Sequence, residues 1–134
     1  MESHEMEWRF TIPGRLPAFN EIINTARHNR YVSAKQMEDW KGYCMAYIKL
    51  AKLPRISGPV AIHFKWFEPN NRKDIGNVRV GEKFISDALV MAGVMPNDGK
   101  CFVKRMSDEF PPPDKINPRI EVLISQIYKD EYQW

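Results

Sequence analysis

Two short polar stretches, separated by an apolar segment, carry the carboxylates of clearest chemical use in this chain. RKDIGN holds Asp74, followed by Gly76 and the amide of Asn77, and PNDG holds Asp98. A hard divalent cation prefers oxygen ligands, and two or three carboxylates are enough to hold Mg²⁺ or Mn²⁺ against a phosphate. Asp and Asn are equally standard turn residues, and Asn97-Asp98-Gly99 makes a good turn unaided. The chemistry therefore depends on whether the fold brings the two loops together.

The intervening segment sets that geometry. Gly81 to Ala92 has Phe84, Ile85, Ala88, Leu89 and Ala92 on one side, which predicts a helix, and Gly93 suits the left-handed residue after its end. Such a helix rises roughly 18 Å and would hold the aspartates at opposite ends. Val94 to Asp98 in extended form spans roughly 16 Å, and Gly93 permits a reversal, so the chain can carry Asp98 back toward Asp74.

The remaining elements supply a platform for these loops. Trp8, Phe10 and Ile12 alternate with polar neighbours as in a half-buried strand that Pro13-Gly14 should end. Residues 16 to 30 read as irregular, since Pro17 and Asn20 resist regular structure. Ser33 and Gln36 have capping-box spacing and predict a helix after them, with Met37, Trp40, Cys44, Tyr47 and Ala51 on one face and an end near Pro54. Val60, Ile62, Phe64 and Trp66 alternate in a second strand running to about Glu68. Residues 101 to 110 and 119 to 127 alternate as two final strands around a proline-rich link. The predicted order is β-α-β-α-β-β, an α/β (α+β) sandwich with a mixed sheet of about four strands and helices on one face.

Bulk properties remove other classes. The 134 residues suit a single domain, 1 to 134, able to bury a core without staples. No apolar run approaches the roughly 18 to 20 residues needed to cross a bilayer, so no membrane role is expected. The acidic N-terminus lacks a secretion pattern. Cys44 and Cys101 lie far apart, which favours free thiols and a cytoplasmic setting over a zinc site. A formal charge of +3 with pI near 8.9 is compatible with nucleic acid without requiring it. No Gly-rich phosphate loop follows a strand, and no Ser/His/Asp or Cys/His set announces a nucleophile. His4, His28 and His63 lie in three different settings, with His63 out of phase with its strand's apolar face and expected at solvent or in a capping role. Trp40, Tyr43 and Tyr47 have helical spacing that favours a core or dimer interface over base stacking.

KDIGN, FISDALVMAGVMPNDG and the upstream LPAFNEIINTARHNRYVSAK together resemble the RusA family of Holliday-junction resolvases of bacteria, their phages and prophages, over about residues 13 to 103. The resemblance implies a homodimer that binds four-way junction DNA and, with Mg²⁺ or Mn²⁺, nicks two opposing strands. It places the first loop carboxylate on Asp74, the loop asparagine on Asn77, the helix aspartate on Asp87, the second member of a terminal acidic pair on Asp98 and a catalytic lysine on Lys83. The metal ligands it implies are Asp74, Asp98 and Asn77. Two positions depart from the pattern: Asn97 stands where the acidic pair usually begins with Asp, and Gly76 stands where a second loop carboxylate is usual.

Glycine cannot ligate through a side chain, so metal affinity and rate should suffer. Three outcomes stay open at this point: Asn77, Asn97 or Asp87 fills the gap, the protein binds junctions without cutting them, or Gly76 is peculiar to this lineage. For DNA contact, Arg27, His28 and Arg30 crowd one irregular loop beside Tyr31, Arg72 and Lys73 precede Asp74, and Lys100, Lys104 and Arg105 follow Asp98. Cations flanking an acidic site could hold phosphates while the carboxylates bridge through metal. Each is equally readable as a solvated surface charge.

Overall fold

The computed structural model describes residues 6 to 127; His4 lies outside them. A four-stranded sheet runs in the order β1 (Glu7–Pro13), β4 (Arg119–Gln126), β2 (Val60–Phe67), β3 (Val103–Glu109). The β1/β4 and β2/β4 pairs are antiparallel, while β2 and β3 are parallel. A parallel neighbour needs a crossover, and the segment bearing both candidate aspartates supplies it. The chain leaves β2 through α3 (Ile75–Arg79) and α4 (Gly81–Met91) before entering β3. The mixed α/β sandwich expected from the sequence is the observed architecture.

Alternation explains the core. Phe10 and Ile12 of β1, Val60, Ile62, Phe64 and Trp66 of β2, and Ile120, Val122 and Ile124 of β4 point to one face. There they meet Cys44 and Ile48 of α2 (Arg30–Leu50) and Phe84, Ile85, Ala88 and Leu89 of α4. Trp40, Tyr43 and Tyr47 pack edge to face beside this cluster, as their spacing predicted. The other face is polar, and His63 stands there half-exposed, 2.6 Å from Ser107 Oγ and 3.1 Å from Glu109 Oε1. Among the described residues, no helix is long and apolar enough to cross a membrane.

Two expectations are corrected. Residues 16 to 30 are not irregular, because α1 (Phe19–His28) occupies most of them. Pro17 precedes the helix, where its missing N–H costs nothing, and Glu21 in the first turn with Arg27 and His28 in the last complements the helix dipole. The second correction is the start of α2, which Asn29 caps rather than Ser33. The Asn29 side-chain oxygen accepts the N–H groups of Tyr31 at 3.0 Å and Val32 at 3.2 Å, leaving Ser33 buried one turn inside the helix. The helix ends at Leu50, short of Pro54. Asn29→Ala should therefore cost about 1 kcal/mol, readable as a lowered urea midpoint, while Ser33→Ala should leave the cap intact.

Candidate functional site

Asp74 caps α3. Its Oδ1 accepts the backbone N–H and the side-chain Nδ2 of Asn77, both at 3.0 Å. The Asn77 carboxamide oxygen in turn accepts the Asn20 N–H at 3.2 Å, which ties α3 to the start of α1. Both ends of the Asn77 amide are thus engaged in local structure. The polar loop is partly helical, a consequence of Asp74 occupying the cap position.

Asp98 does return toward the start of the preceding helix. Gly93 adopts the left-handed conformation, φ 78°, and reverses the chain after α4. Asp98 Oδ2 then lies 3.1 Å from Lys83 Nζ, in the first turn of α4. The carboxylate that meets it across this ammonium is Asp87, whose Oδ1 is 2.9 Å from the same nitrogen, one helical turn on from Lys83. Lys41 of α2 approaches the other Asp87 oxygen at 3.4 Å. The structure therefore assembles Asp87, Asp98, Lys83 and Lys41 as one set, and Asp74, Asn77 and Asn20 as another.

Electrostatics follow from these contacts. Hydrogen bonds to Asp87 and then Asp98 push the Lys83 ammonium above its usual value, so it stays charged. Burial pushes the Asp87 carboxyl up, but Lys83 and Lys41 outweigh it and hold the group below the usual range. Asp87 thus stays ionised at neutral pH. Among the described residues, no group of three or more His, Cys, Asp or Glu side chains is arranged to hold a metal ion. Two carboxylates nevertheless face one cation, the lysine itself. The three groups form an ion-paired triad in which the ammonium satisfies both carboxylates.

Of the cations expected to contact DNA, Arg27, His28 and Arg30 are exposed, but they lie on two helix ends flanking Asn29, not in an irregular loop. Arg30 stacks its guanidinium 5.3 Å from the Tyr31 ring centroid. Arg72 is exposed, while Lys73 is half-buried and pairs with Glu21 at 3.1 Å. Glu21 also takes Arg15, whose hydrogen bond lowers its carboxyl most. Arg105 stands in register with Ala61 on the polar face of the sheet, away from the helices, so it does not flank the acidic site as expected. Lys100 is exposed beside Asp98.

A second acidic cluster escaped the sequence reading. Asp108 faces the helices from β3, opposite Phe64, with only 7% of its side chain exposed. Trp66 Nε1 donates to its Oδ1 at 2.7 Å, and Arg79 Nε sits 3.0 Å from Oδ2. Glu82 joins it from α4 with Oε2 buried and unpartnered among the described residues. Burial, then the hydrogen bond and charge of Asp108, push the Glu82 carboxyl up to about 7, against the pull of Arg79. The signal was present: an aspartate in the inward phase of an alternating strand must find a partner.

No protein-family model matches the chain, and no curated protein matches it.

Proposed function

We propose that this chain is a RusA-like, Mg²⁺- or Mn²⁺-dependent endodeoxyribonuclease that acts as a homodimer on four-way DNA junctions in the cytoplasm. The observation that carries the reading is the convergence of Asp87 and Asp98 on the single cation position filled by Lys83. In this reading Asp98 and Asp87 hold the metal, Asp74 stays in its own set as the cap of α3, and Lys83 exchanges its carboxylate partners for a phosphate oxygen. A bound divalent cation would supply activated water and charge stabilisation at the phosphoryl group. Lys41 keeps Asp87 ionised and oriented. Arg27, His28, Arg30, Arg72 and Lys100 supply exposed positive charge for the DNA backbone. A homodimer would present one site to each of two opposed strands.

The test is cleavage of a mobile four-way junction with Mg²⁺ or Mn²⁺ by the unmodified protein and by Asp98→Asn. Asp98→Asn should cut about 100-fold more slowly, the scale on which a preorganised electrostatic contact acts. Junction affinity in the absence of divalent ions should fall steeply with added salt, by close to one log unit per log of salt for each phosphate contacted. Equal cleavage by the two proteins would remove the metal role of Asp98, and a flat salt response would remove the DNA role.

A second reading rests on Gly76. With no side-chain ligand at that position and no three-membered metal cluster among the described residues, junction binding without cutting is the competing assignment. It predicts a junction preference over linear duplex with no metal-dependent products.

A further inference from the structure

A cleft of ≈ 440 Å³ opens beside Asp74. Its apolar lining includes Phe110 and Ile75 beside the buried Trp66, and its walls carry Glu68, Asn70, Asn71, Lys73 and Asp74. The volume lies in the about 300 to 1,000 Å³ range of small-molecule pockets. Its two sides are the loop leaving β2 and the chain leaving β3. The Asp114 N–H donates to the Glu68 carbonyl at 2.9 Å and ties these sides together. Inside the first loop, Asn70 Oδ1 accepts the Arg72 N–H at 2.9 Å, and Lys73 is braced on Glu21. The mouth is thus preformed.

An aliphatic ligand would use the apolar lining and leave the carboxamides unpaired. A free phosphate would use Lys73 and meet the carboxylate of Asp74. A nucleobase uses both surfaces, because it has a π face to stack and an edge that exchanges donors and acceptors with amide side chains. A base within a duplex has that edge occupied and its faces stacked on neighbours, so the cleft selects bases free of both. Resting on the nuclease reading, we propose that this cleft receives one unpaired nucleobase of the DNA, stacked on Phe110 with its edge against Asn70 and Asn71. Such a contact would favour DNA with unpaired bases over fully paired duplex.

The experiment separates this site from the nuclease reading. Fluorescence anisotropy would compare binding of single-stranded oligothymidylate with an abasic strand of equal length, without divalent ions. The proteins are the unmodified chain, Phe110→Leu, which keeps apolar packing without the π face, and Asn71→Ala at an exposed position. The unmodified protein should prefer thymidylate by about 10-fold, within the range of alanine-scanned base stacking, and Phe110→Leu should abolish that preference while Asn71→Ala reduces it. Equal affinity for the two strands, or full preference retained by Phe110→Leu, would overturn the proposal. The same titration with a four-way junction and a linear duplex tests the other reading by itself. A base preference without junction preference upholds the cleft and defeats junction selectivity; the reverse defeats the cleft alone.

Discussion

Gly76→Asp pairs a second carboxylate with Asp74 and should strengthen Mn²⁺ binding at that loop by about tenfold over the parent, the scale reached even by groups that only orient a metal ligand. Mg²⁺-dependent junction cleavage should rise if that loop contributes to the site. The position accepts the change. A Cβ at Gly76 meets only Asp74 Oδ1, at 3.8 Å, which is ordinary contact, and the residue is exposed in the first turn of α3. Gly76 lies in the first turn of α3, where the helix dipole favours an aspartate, while the substitution adds a charge beside Asp74. The two effects oppose each other in the metal-free protein. Stability should stay nearly level without metal and increase with it, because binding to the folded state alone stabilises that state. Gly76→Asn, of similar size but uncharged, should give little gain in affinity. Calorimetric titration of the three proteins with Mn²⁺ reads the affinity, and gel analysis of junction products reads the rate. A variant that binds and cuts no better than an already active parent would show that the missing carboxylate does not limit this protein.

The next largest effect is on stability. Glu82 is pushed from its ordinary 4.5 to about 7 by burial beside Asp108, so ionising it costs the folded state. Its folded value lies above its unfolded value. The stabilisation tied to its proton is therefore complete below about pH 4.5 and is lost as pH climbs through about 7. At 1.36 kcal/mol per unit, the loss by pH 8 is on the order of 1 to 3 kcal/mol. Glu82→Gln removes this titration while keeping shape and a hydrogen-bonding end. Thermal unfolding at pH 5 and pH 8 should show the parent losing ground and the variant holding steady, with a gap of several degrees at pH 8. Parallel profiles would mean that Glu82 does not carry the charge cost. Asp108→Asn at the same site should be destabilising at both pH values, since Arg79 and Trp66 would lose their shared anionic acceptor.

The sheet was legible because its strands alternate cleanly over one buried face. Phe10, Ile12, Val60, Ile62, Phe64, Trp66, Ile120, Val122 and Ile124 announce their side by period alone. Helix α4 was legible for a similar reason, with Gly93 marking its end. Helix α1 was not, because Pro17 and Asn20 drew attention away from its first turn and none of its residues is fully buried. The Asn29 cap was missed because Ser33 and Gln36 offered a competing capping pattern four residues later. Tertiary packing chose between them. At the site, the return of Asp98 followed from extended length and one glycine, yet its partner could not be read from spacing. Lys83 and Asp87 stand one helical turn apart, a separation at which a salt bridge forms with or without a third group. Only the fold shows that Asp98 joins them. The Glu82 and Asp108 pair required knowing that β3 and α4 meet over Trp66, a long-range fact that local pattern does not contain.

The account rests on Asp87 and Asp98 being able to accept a divalent cation in place of the lysine they now share. Calorimetric titration of the unmodified protein with Mn²⁺, beside Asp98→Asn and Asp87→Asn, tests this directly. It should give one saturable site per chain that is weakened at least tenfold in either variant. No saturable binding in the unmodified protein, or equal binding in all three, would contradict it.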